Sequence, residues 1–477
     1  MKGQKGGFKM EKCVFGITES VAKEILEIAL STGGEFAEVF MENTKNENYE
    51  MTLCKVTKAN VSQVSGAAIR IIKDGVEVNA SVTECNAEKL KVVAKNLASS
   101  FEGTKTTEVL PFVEKKVPLV VNPLRYTDDS NDVEIGLMEK TSKAAIEYSK
   151  EIVQVIARVT KKLQDIFVFA SDSTWQTDKR AQTRLFVSAV ASDGKVMETG
   201  SAQFGRNQGM EMFDECDPAA LGTEAASDAV TMLHAEEMPG GDIPVVINNG
   251  FGGVILHEAC VHGLEATAVA KGMSVFCGKL GQKVASDIVN AVDDGTNINS
   301  WGSMNVDDEG TPSRCNVLIE NGILKSYLVD KKNAKKMNHP VTGSSRRQSY
   351  KFTTTSRMTN TYFLNGTSTF DEIIKSVKYG LFAKKMGGGS VQPATGEFNF
   401  AVNVGYLIED GKITKPVRGA TLVGSGPEVL MNIEMIGDNL SCSHGMCGSE
   451  SGSIPTNVGQ PTIKVSHITV GGKGGTK

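Results

Sequence analysis

The feature that constrains this chain most is the segment 256–265, which reads LHEACVHGLE. It places His257, Glu258 and His262 among apolar residues in a context that is compatible with a helix. Two neutral imidazoles can bind Zn²⁺, and a neighbouring carboxylate can accept a proton from the water that the ion activates. The segment therefore predicts a zinc hydrolase in which His257 and His262 are metal ligands and Glu258 is the general base.

The spacing of the two histidines differs from that of the HExxH metalloproteases. In those enzymes the histidines lie four positions apart on one helix face, whereas His257 and His262 are five positions apart. In an ideal α-helix the second ring would point ~140° away from the first. Because a π-bulge would bring the rings back together and such bulges are common at functional sites, we predict one here. The alternative is a chance match, with one histidine buried and hydrogen-bonded and the other solvated.

Composition limits the classes of partner and compartment. The net charge is −5 with a pI near 5.9, so no basic surface indicates nucleic acid or an anionic membrane as a partner. No apolar run approaches the ~20 residues that a membrane span requires. The nine cysteines are scattered and odd in number, which is typical of reduced thiols rather than a disulfide scaffold. We therefore predict a cytoplasmic protein that binds neither nucleic acid nor membrane.

Periodic apolar patterns predict a mixed first half. Amphipathic helices are expected at 18–30, 87–99, 132–150 and 224–233. Short strands are expected at 37–41, 49–56, 67–72, 76–82, 152–159, 166–170, 184–191 and 196–201. Of these, 152–159 and 166–170 are expected to pair with each other, and so are 184–191 and 196–201.

The length of 477 residues predicts more than one domain. A boundary is expected at 238–244, whose sequence MPGGDIP should not lie within a helix or a central strand. Beyond it, Asn321-Gly322 and Asp410-Gly411 stand between alternating apolar residues and predict hairpin turns. The fold class is therefore α+β: an N-terminal mixed α/β domain at 1–238, and a mostly antiparallel β domain at 239–477 that carries the metal-binding helix.

A third protein ligand is needed to complete a catalytic zinc site. A carboxylate some tens of residues downstream is one option, which would be Asp287, Asp293 or Asp294. Cys447 is a better donor, because thiolate is a strong zinc ligand and glycines flank this thiol. The alternative is that Cys447 is a loop thiol without a role. A separate cluster of Cys442, His444 and Cys447 has no fourth ligand in evidence and is disfavoured.

These residues resemble the TldD/PmbA peptidase family, and in particular its TldD branch, whose motif has the form HExxxHGLE. The resemblance extends over nearly all of 240–472. Further matching blocks lie at 272–276, 292–296, 346–350, 357–361, 387–389, 395–398, 423–426, 447–448 and 458–462. The first half matches in length and layout but has weaker motifs.

The resemblance implies a zinc metalloprotease with His257, His262 and Cys447 as ligands and Glu258 as general base. It also implies a dimer, formed with a second copy or with a PmbA-type paralogue that lacks the ligands. The active site would face an internal cavity that admits unfolded or small peptides, bound as an added β-strand. Members mature ribosomally made peptides and remove small unstable proteins. The older family name, modulator of DNA gyrase, reflects indirect effects rather than DNA binding.

The chain departs from the family pattern near the second histidine. Val261 stands where Gly is common, and Ala266-Thr267 stands where Gly-Asp is common. Because Val is stiff at χ1, the local backbone is expected to differ. Cys260 is close enough in sequence to compete for the metal or to oxidise.

Some neighbouring assignments stay open. Gly387 to Gly389 would permit a peptide to approach closely, and a mobile turn is the alternative. Arg346 and Arg347 would anchor a carboxylate or an oxyanion, although a solvated basic face is the favoured interpretation. The competing function is a peptide-binding or scaffold subunit without catalysis, against which the intact His257, Glu258, His262 and Cys447 argue.

Overall fold

The computed structural model describes residues 13–117, 119–120 and 132–472. The elements of the first half are β1 (Cys13–Val14), β2 (Ile17–Thr18), α1 (Glu19–Ala29), β3 (Phe36–Thr52), β4 (Lys55–Lys73), β5 (Val76–Val82), α2 (Ala87–Ala98), α3 (Asp132–Tyr148), β6 (Ile152–Ala170), β7 (Trp175–Ser192), β8 (Met197–Arg206), a 3₁₀ helix (Met210–Asp214) and α4 (Pro218–Leu233).

One antiparallel sheet organises this half, with strand order β5-β4-β3-β6-β7-β8. Its two faces differ because side chains alternate along each strand. One face packs against α1 and α2 at one end and against α3 and α4 at the other. The opposite face carries buried charges such as Glu38, Glu42 and Arg70. This face meets the second half of the chain.

Most sequence-based strands of this half were too short, although 76–82 coincides with β5. The predicted strand 37–41 and the first part of 49–56 lie in one strand, β3, whereas the rest of 49–56 forms the turn into β4 and the start of that strand. The predicted strands 152–159 and 166–170 both lie in β6 rather than pairing with each other. The polar stretches that suggested breaks are held by cross-strand partners, because Asn43 to Asn48 pair with Lys162 to Asp165 and their neighbours. The β7–β8 hairpin and the four main helices are confirmed.

The second half is rich in short strands. Its elements are β9 (Glu236–Glu237), β10 (Gly241–Ile247), a 3₁₀ helix (Gly250–Gly253), α5 (Val254–Ala259), a 3₁₀ helix (Val261–Leu264), α6 (Ala266–Val269), β11 (Ala291–Asp294), β12 (Cys315–Glu320), β13 (Ile323–Leu324), α7 (Lys331–Met337), β14 (Ser345–Arg346), β15 (Thr355–Ser356), β16 (Asn360–Phe363), α8 (Phe370–Lys375), β17 (Tyr379–Gln392), β18 (Glu397–Glu409), β19 (Lys412–Arg418), β20 (Thr421–Ser425), α9 (Gly426–Met431), β21 (Ile433–Ile436), β22 (Ser441–Ser449), β23 (Gly452–Gln460) and β24 (Ile463–Gly471).

Two sheets enclose α5. In the first, the strand order β17-β10-β24-β20-β18 closes into a barrel because β17 also pairs with β18. The second sheet has the order β13-β12-β11-β16-β23-β22, so β22 is its edge strand. Most pairs are antiparallel, with β10–β17, β16–β23 and β9–β19 as parallel exceptions. The apolar residues of α5 belong to the core that both sheets share.

The expectation that no central strand runs through 238–244 is wrong. Strand β10 includes Pro244 and lies between β17 and β24, so a central strand does run through this segment. Proline has no N–H to donate to the ladder. The register accordingly shifts between Ile243 and Val245, which accommodates the proline as a bulge.

Buried ion pairs join the two halves. Arg70 contacts Glu38 at 3.0 Å and Glu309 at 2.6 Å, and Arg347 contacts Glu38 at 2.9 Å. Arg346 is also buried and donates to the carbonyl of Met358. The expectation that Arg346 and Arg347 form a solvated basic face is therefore wrong. Among the described residues, no helix is long and apolar enough to cross a membrane.

Candidate metal centre

The two histidines lie on separate short helices. His257 is in α5, which ends at Ala259, and His262 is in the following 3₁₀ helix. Between them Cys260 has φ −124° and ψ −62°, which breaks the α-helical path. The ring centroids are 5.0 Å apart and nearly perpendicular. The predicted π-bulge and the single metal-binding helix are therefore wrong: a break and a tighter 3₁₀ turn bring the rings together instead.

Cys447 approaches both histidines from the β22–β23 hairpin. Its Sγ lies 3.2 Å from Nε2 of His257 and 3.2 Å from Nε2 of His262. The three potential ligand atoms lie within 4.8 Å of one another. Among the residues that the structure describes, this is the group of His, Cys, Asp and Glu side chains that could hold a metal ion.

Glu258 lies beside this group and faces open space. Its Oε2 is 3.6 Å from Nε2 of His262, the same nitrogen that faces Cys447. Glu258, His262 and Cys447 line a cavity of about 640 Å³. One wall of this cavity is formed by the C-terminal end of β17, including Gly389 and Val391, and by the turn that follows it. Because Gly387 to Gly389 lie within β17, the mobile-turn alternative for them is wrong.

The pKa values of the two histidines are shifted in opposite directions. Burial, together with the neighbouring His262, holds the pKa of His257 well below its ordinary value. Burial would also lower the pKa of His262, but Glu265 and Cys447 outweigh it and hold that pKa well above the ordinary value. Burial raises the pKa of Glu258, and His262 opposes this effect.

Glu265 and Arg357 contact the cluster of His257, His262 and Cys447, and sequence analysis assigned neither of them a role. Oε2 of Glu265 lies 3.2 Å from Nδ1 of His262. Arg357 donates from Nη2 to the backbone carbonyl of Cys447 at 2.8 Å. Both residues lie in blocks that resemble the family, but a motif match does not reveal which side chains meet.

The other proposed ligands lie elsewhere. Asp287 is exposed and paired with Lys283, and Asp293 accepts hydrogen bonds from Thr359 and Thr361. Asp294 accepts hydrogen bonds from Thr296 and Tyr362. None of these carboxylates belongs to the cluster found among the described residues.

The remaining thiols and His444 do not join the group either. Cys442 is exposed, whereas His444 is buried with its ring 5.1 Å from that of Trp301. Cys260 is fully buried, and burial raises the pKa of its thiol to about 12, which disfavours the thiolate that binds metal. All nine cysteines are free.

Comparison with known proteins identifies the family. The chain matches PmbA/TldA metallopeptidase domain 1 at 37–100, the central domain at 125–233 and the C-terminal domain at 240–472. A metalloprotease TldD homolog from Haemophilus influenzae is 37% identical over 94% of this chain and 95% of its own length. The chain belongs to the PmbA/TldD metallopeptidase family.

Other relatives of this PmbA/TldD protein agree in fold and in name. A zinc metalloprotease TldD homolog from Saccharolobus solfataricus is 30% identical over 61% of this chain and 65% of its own length. The crystal structure of TldE from Thermococcus kodakarensis superposes with a TM-score of 0.77 at 19% identity, over 94% of this chain and 99% of that one. These names imply a metal in the family, with zinc named for one relative.

The donor set of this PmbA/TldD member fits zinc. Two imidazoles and a thiol match the nitrogen and sulfur ligands that zinc prefers, and three protein ligands leave one position open. His257 already favours the neutral form that binds metal. Nδ1 of His257 has no hydrogen-bond partner within the described part of the chain, and its Nε2 lies 3.2 Å from Sγ of Cys447.

Proposed function

We propose that this PmbA/TldD protein is a zinc-dependent peptidase that hydrolyses unfolded or small peptides. In this proposal His257, His262 and Cys447 are the ligands and Glu258 is the general base. The observation that carries it is the convergence of Cys447 with two histidines that lie 190 and 185 positions away in the chain. A chance HExxxH match gives no reason for a distant thiol to meet both imidazoles.

Glu258 is placed to move protons during the reaction. Zinc, when bound, supplies a Lewis acid that polarises a peptide carbonyl and acidifies water. Glu258 lies beside His262 and lines the cavity, within reach of a water that attacks a peptide there. It accepts the proton of that water and later donates it to the leaving amine. Its partial exposure through the cavity keeps it accessible to substrate.

The surroundings of the cavity support a peptide as substrate. Strand β22, which carries Cys447, is the edge of its sheet, so an extended peptide can add to it through main-chain hydrogen bonds. Such binding selects for unfolded chain rather than for one sequence. Met273 and Met446 are exposed at the cavity and add adaptable apolar surface for peptide side chains.

The assembly is part of the same proposal. We propose that the protein works as a dimer, either with a second copy or with a PmbA-type paralogue, in the cytoplasm and without nucleic acid. The fold shared with TldE supports a common architecture for the two kinds of subunit.

The test is zinc content per chain and cleavage of an unfolded reporter peptide. We expect one zinc per wild-type chain, loss of zinc in Cys447→Ala, and retention of zinc without cleavage in Glu258→Ala. Normal zinc content in Cys447→Ala would refute the ligand set. Zinc-loaded wild type that cleaves nothing, alone or with a PmbA-type paralogue, would favour the alternative of a non-catalytic scaffold subunit.

A further inference from the structure

The metal centre is assembled from two segments that must be held in register. One segment carries His257 and His262, and the other is the β22–β23 hairpin with Cys447. A zinc site tolerates deviations of only ~0.2 Å in ligand distance. Some contact between the segments therefore has to fix their relative position.

Glu265 orients the histidine side of this junction. It accepts a hydrogen bond from Nδ1 of His262, which leaves Nε2 directed at Cys447. The backbone of Glu265 is itself fixed, because the next residue, Ala266, donates to the carbonyl of Leu328 at 2.8 Å. A carboxylate on the second nitrogen of a ligating histidine sets its tautomer and ring orientation.

Arg357 anchors the cysteine side. It is completely buried and donates to three acceptors of the hairpin: the carbonyl of Cys447 at 2.8 Å, Oγ of Ser451 at 2.8 Å and the carbonyl of Gly452 at 3.1 Å. Its Nε lies 3.6 Å from Oε1 of Glu265. One guanidinium thus spans the distance from the hairpin to the carboxylate that orients His262.

The two charges also depend on each other. Glu265 is buried, and the structure pairs its carboxylate with His262 and with Arg357. Removing Arg357 would leave a buried carboxylate without that partner and would free the hairpin turn. His257 differs, because its Nδ1 has no hydrogen-bond partner among the described residues and its position follows from the packing of α5.

We propose that Glu265 and Arg357 are a positioning pair that aligns His262 and Cys447 for zinc. This inference rests on the proposed function, since it concerns the same metal centre. Glu265 also borders the cavity, but its carboxylate is engaged by His262 and Arg357, and Arg357 is completely buried. Their effect is on the geometry and affinity of the site.

The variants are Glu265→Gln, Glu265→Ala, Arg357→Lys and Arg357→Met. Zinc affinity is measured by competition with a chromophoric chelator, and the visible spectrum of the Co²⁺-substituted protein reports ligand geometry. We expect Glu265→Ala and Arg357→Met to bind zinc roughly 10- to 100-fold more weakly, as is typical when such outer partners are lost. The conservative variants Glu265→Gln and Arg357→Lys should lie between these and wild type, with an altered Co²⁺ spectrum.

Matched controls separate positioning from the general cost of disturbing buried charge. Arg180→Lys and Glu38→Gln change residues that are equally buried and ion-paired but lie at the junction of the two halves. They should keep wild-type zinc affinity and Co²⁺ spectrum. If Arg357→Met does not fold by circular dichroism, Arg357→Lys and the Glu265 variants decide the question.

The outcomes distinguish this inference from the proposed function. If wild type binds zinc and cleaves peptide while all Glu265 and Arg357 variants match the controls, only the positioning pair is overturned. If wild type binds no zinc, the proposed function fails and the pair fails with it. Graded zinc affinity in the order wild type, conservative variant, truncated variant supports the pair.

Discussion

Gly253 is where the helix that carries His257 and Glu258 touches the hairpin that carries Cys447. It ends a 3₁₀ helix immediately before α5, with φ −58° and ψ −7°, a conformation open to any residue. A Cβ at this position would lie 2.5 Å from the backbone N, C and O of Gly459 in β23. A backbone neighbour cannot rotate away, so Gly253→Ala has to push α5 and β23 apart.

The size of the displacement follows from this contact. Ordinary contacts of a Cβ begin at 3.4 Å, so the two elements must separate by roughly 1 Å. His257 lies one helical turn beyond Gly253, and Cys447 is paired with Ile454 of β23. The separation therefore acts directly on the distance between two of the proposed ligands. Overpacking of this kind costs about 1–3 kcal/mol of stability, and a 1 Å misplacement costs about 100-fold in rate.

The assay compares Gly253→Ala with wild type in zinc affinity, peptide cleavage and urea unfolding in the presence of a chelator. We expect weaker zinc binding and about 100-fold slower cleavage, with a loss of about 1–3 kcal/mol in unfolding free energy. Gly136→Ala is the matched control: a Cβ there meets nothing within 4 Å, and alanine should stabilise α3 by about 0.5–1 kcal/mol. Wild-type zinc affinity and cleavage in Gly253→Ala would refute the argument that this contact sets the ligand distances.

Three further predictions concern stability. Arg70→Met leaves Glu38 and Glu309 buried without this partner and should lower the unfolding free energy by about 3–5 kcal/mol in urea titrations. Zinc at 100 times its Kd should stabilise the protein by about 2.7 kcal/mol, seen as a chelator-sensitive Tm. Burial and nearby arginines lower the pKa of His444 to about 3 in the folded chain. As the pH falls, the unfolded chain therefore protonates this histidine at a higher pH than the folded chain does. The stability contributed by His444 is complete above pH ~6.5 and is lost toward pH 3, at about 1.4 kcal/mol per pH unit. His444→Gln should therefore lose roughly 1.4 kcal/mol less than wild type between pH 7 and 5.5.

Each of these has an outcome that would contradict it. An Arg70→Met variant no less stable than Lys335→Met, which removes an exposed pair with Glu35, would show that the buried network contributes little. A Tm that is the same with and without chelator would contradict the second prediction, because it would show that zinc does not bind the folded chain in preference to the unfolded chain. For His444, the unfolding measurements are made with chelator so that protons do not compete with a metal for the same side chains. An equal acid response of His444→Gln and the exposed-site variant His467→Gln would refute the assignment.

The sequence was sufficient for local features. The helix predicted at 18–30, the Asn321-Gly322 turn and the Asp410-Gly411 turn depend on neighbouring residues, and all three are present. The TldD/PmbA resemblance was confirmed for the same reason, since motifs are local strings. The division into 1–238 and 239–477 stays a prediction.

Features that depend on distant partners could not be predicted. The polar middle of β3 looked like a loop because its cross-strand neighbours on β4 and β6 are invisible in a local window. Arg347 looked solvated because Glu38 lies 309 positions away in sequence. The helix break at Cys260 likewise depends on packing, since Val261 and Leu264 enter the core that both sheets share.

Cys447 joins His257 across 190 positions of chain, which has a consequence for synthesis. A nascent chain that has produced the HExxxH segment but not the β22–β23 hairpin has no third ligand and no anchored His262. If His257, His262 and Cys447 are the zinc ligands, as we propose, the metal centre cannot form on a partly made polypeptide. The proposed hydrolytic activity would then begin only after the second half has closed around α5, which would protect the ribosome-bound chain and its neighbours from premature cleavage.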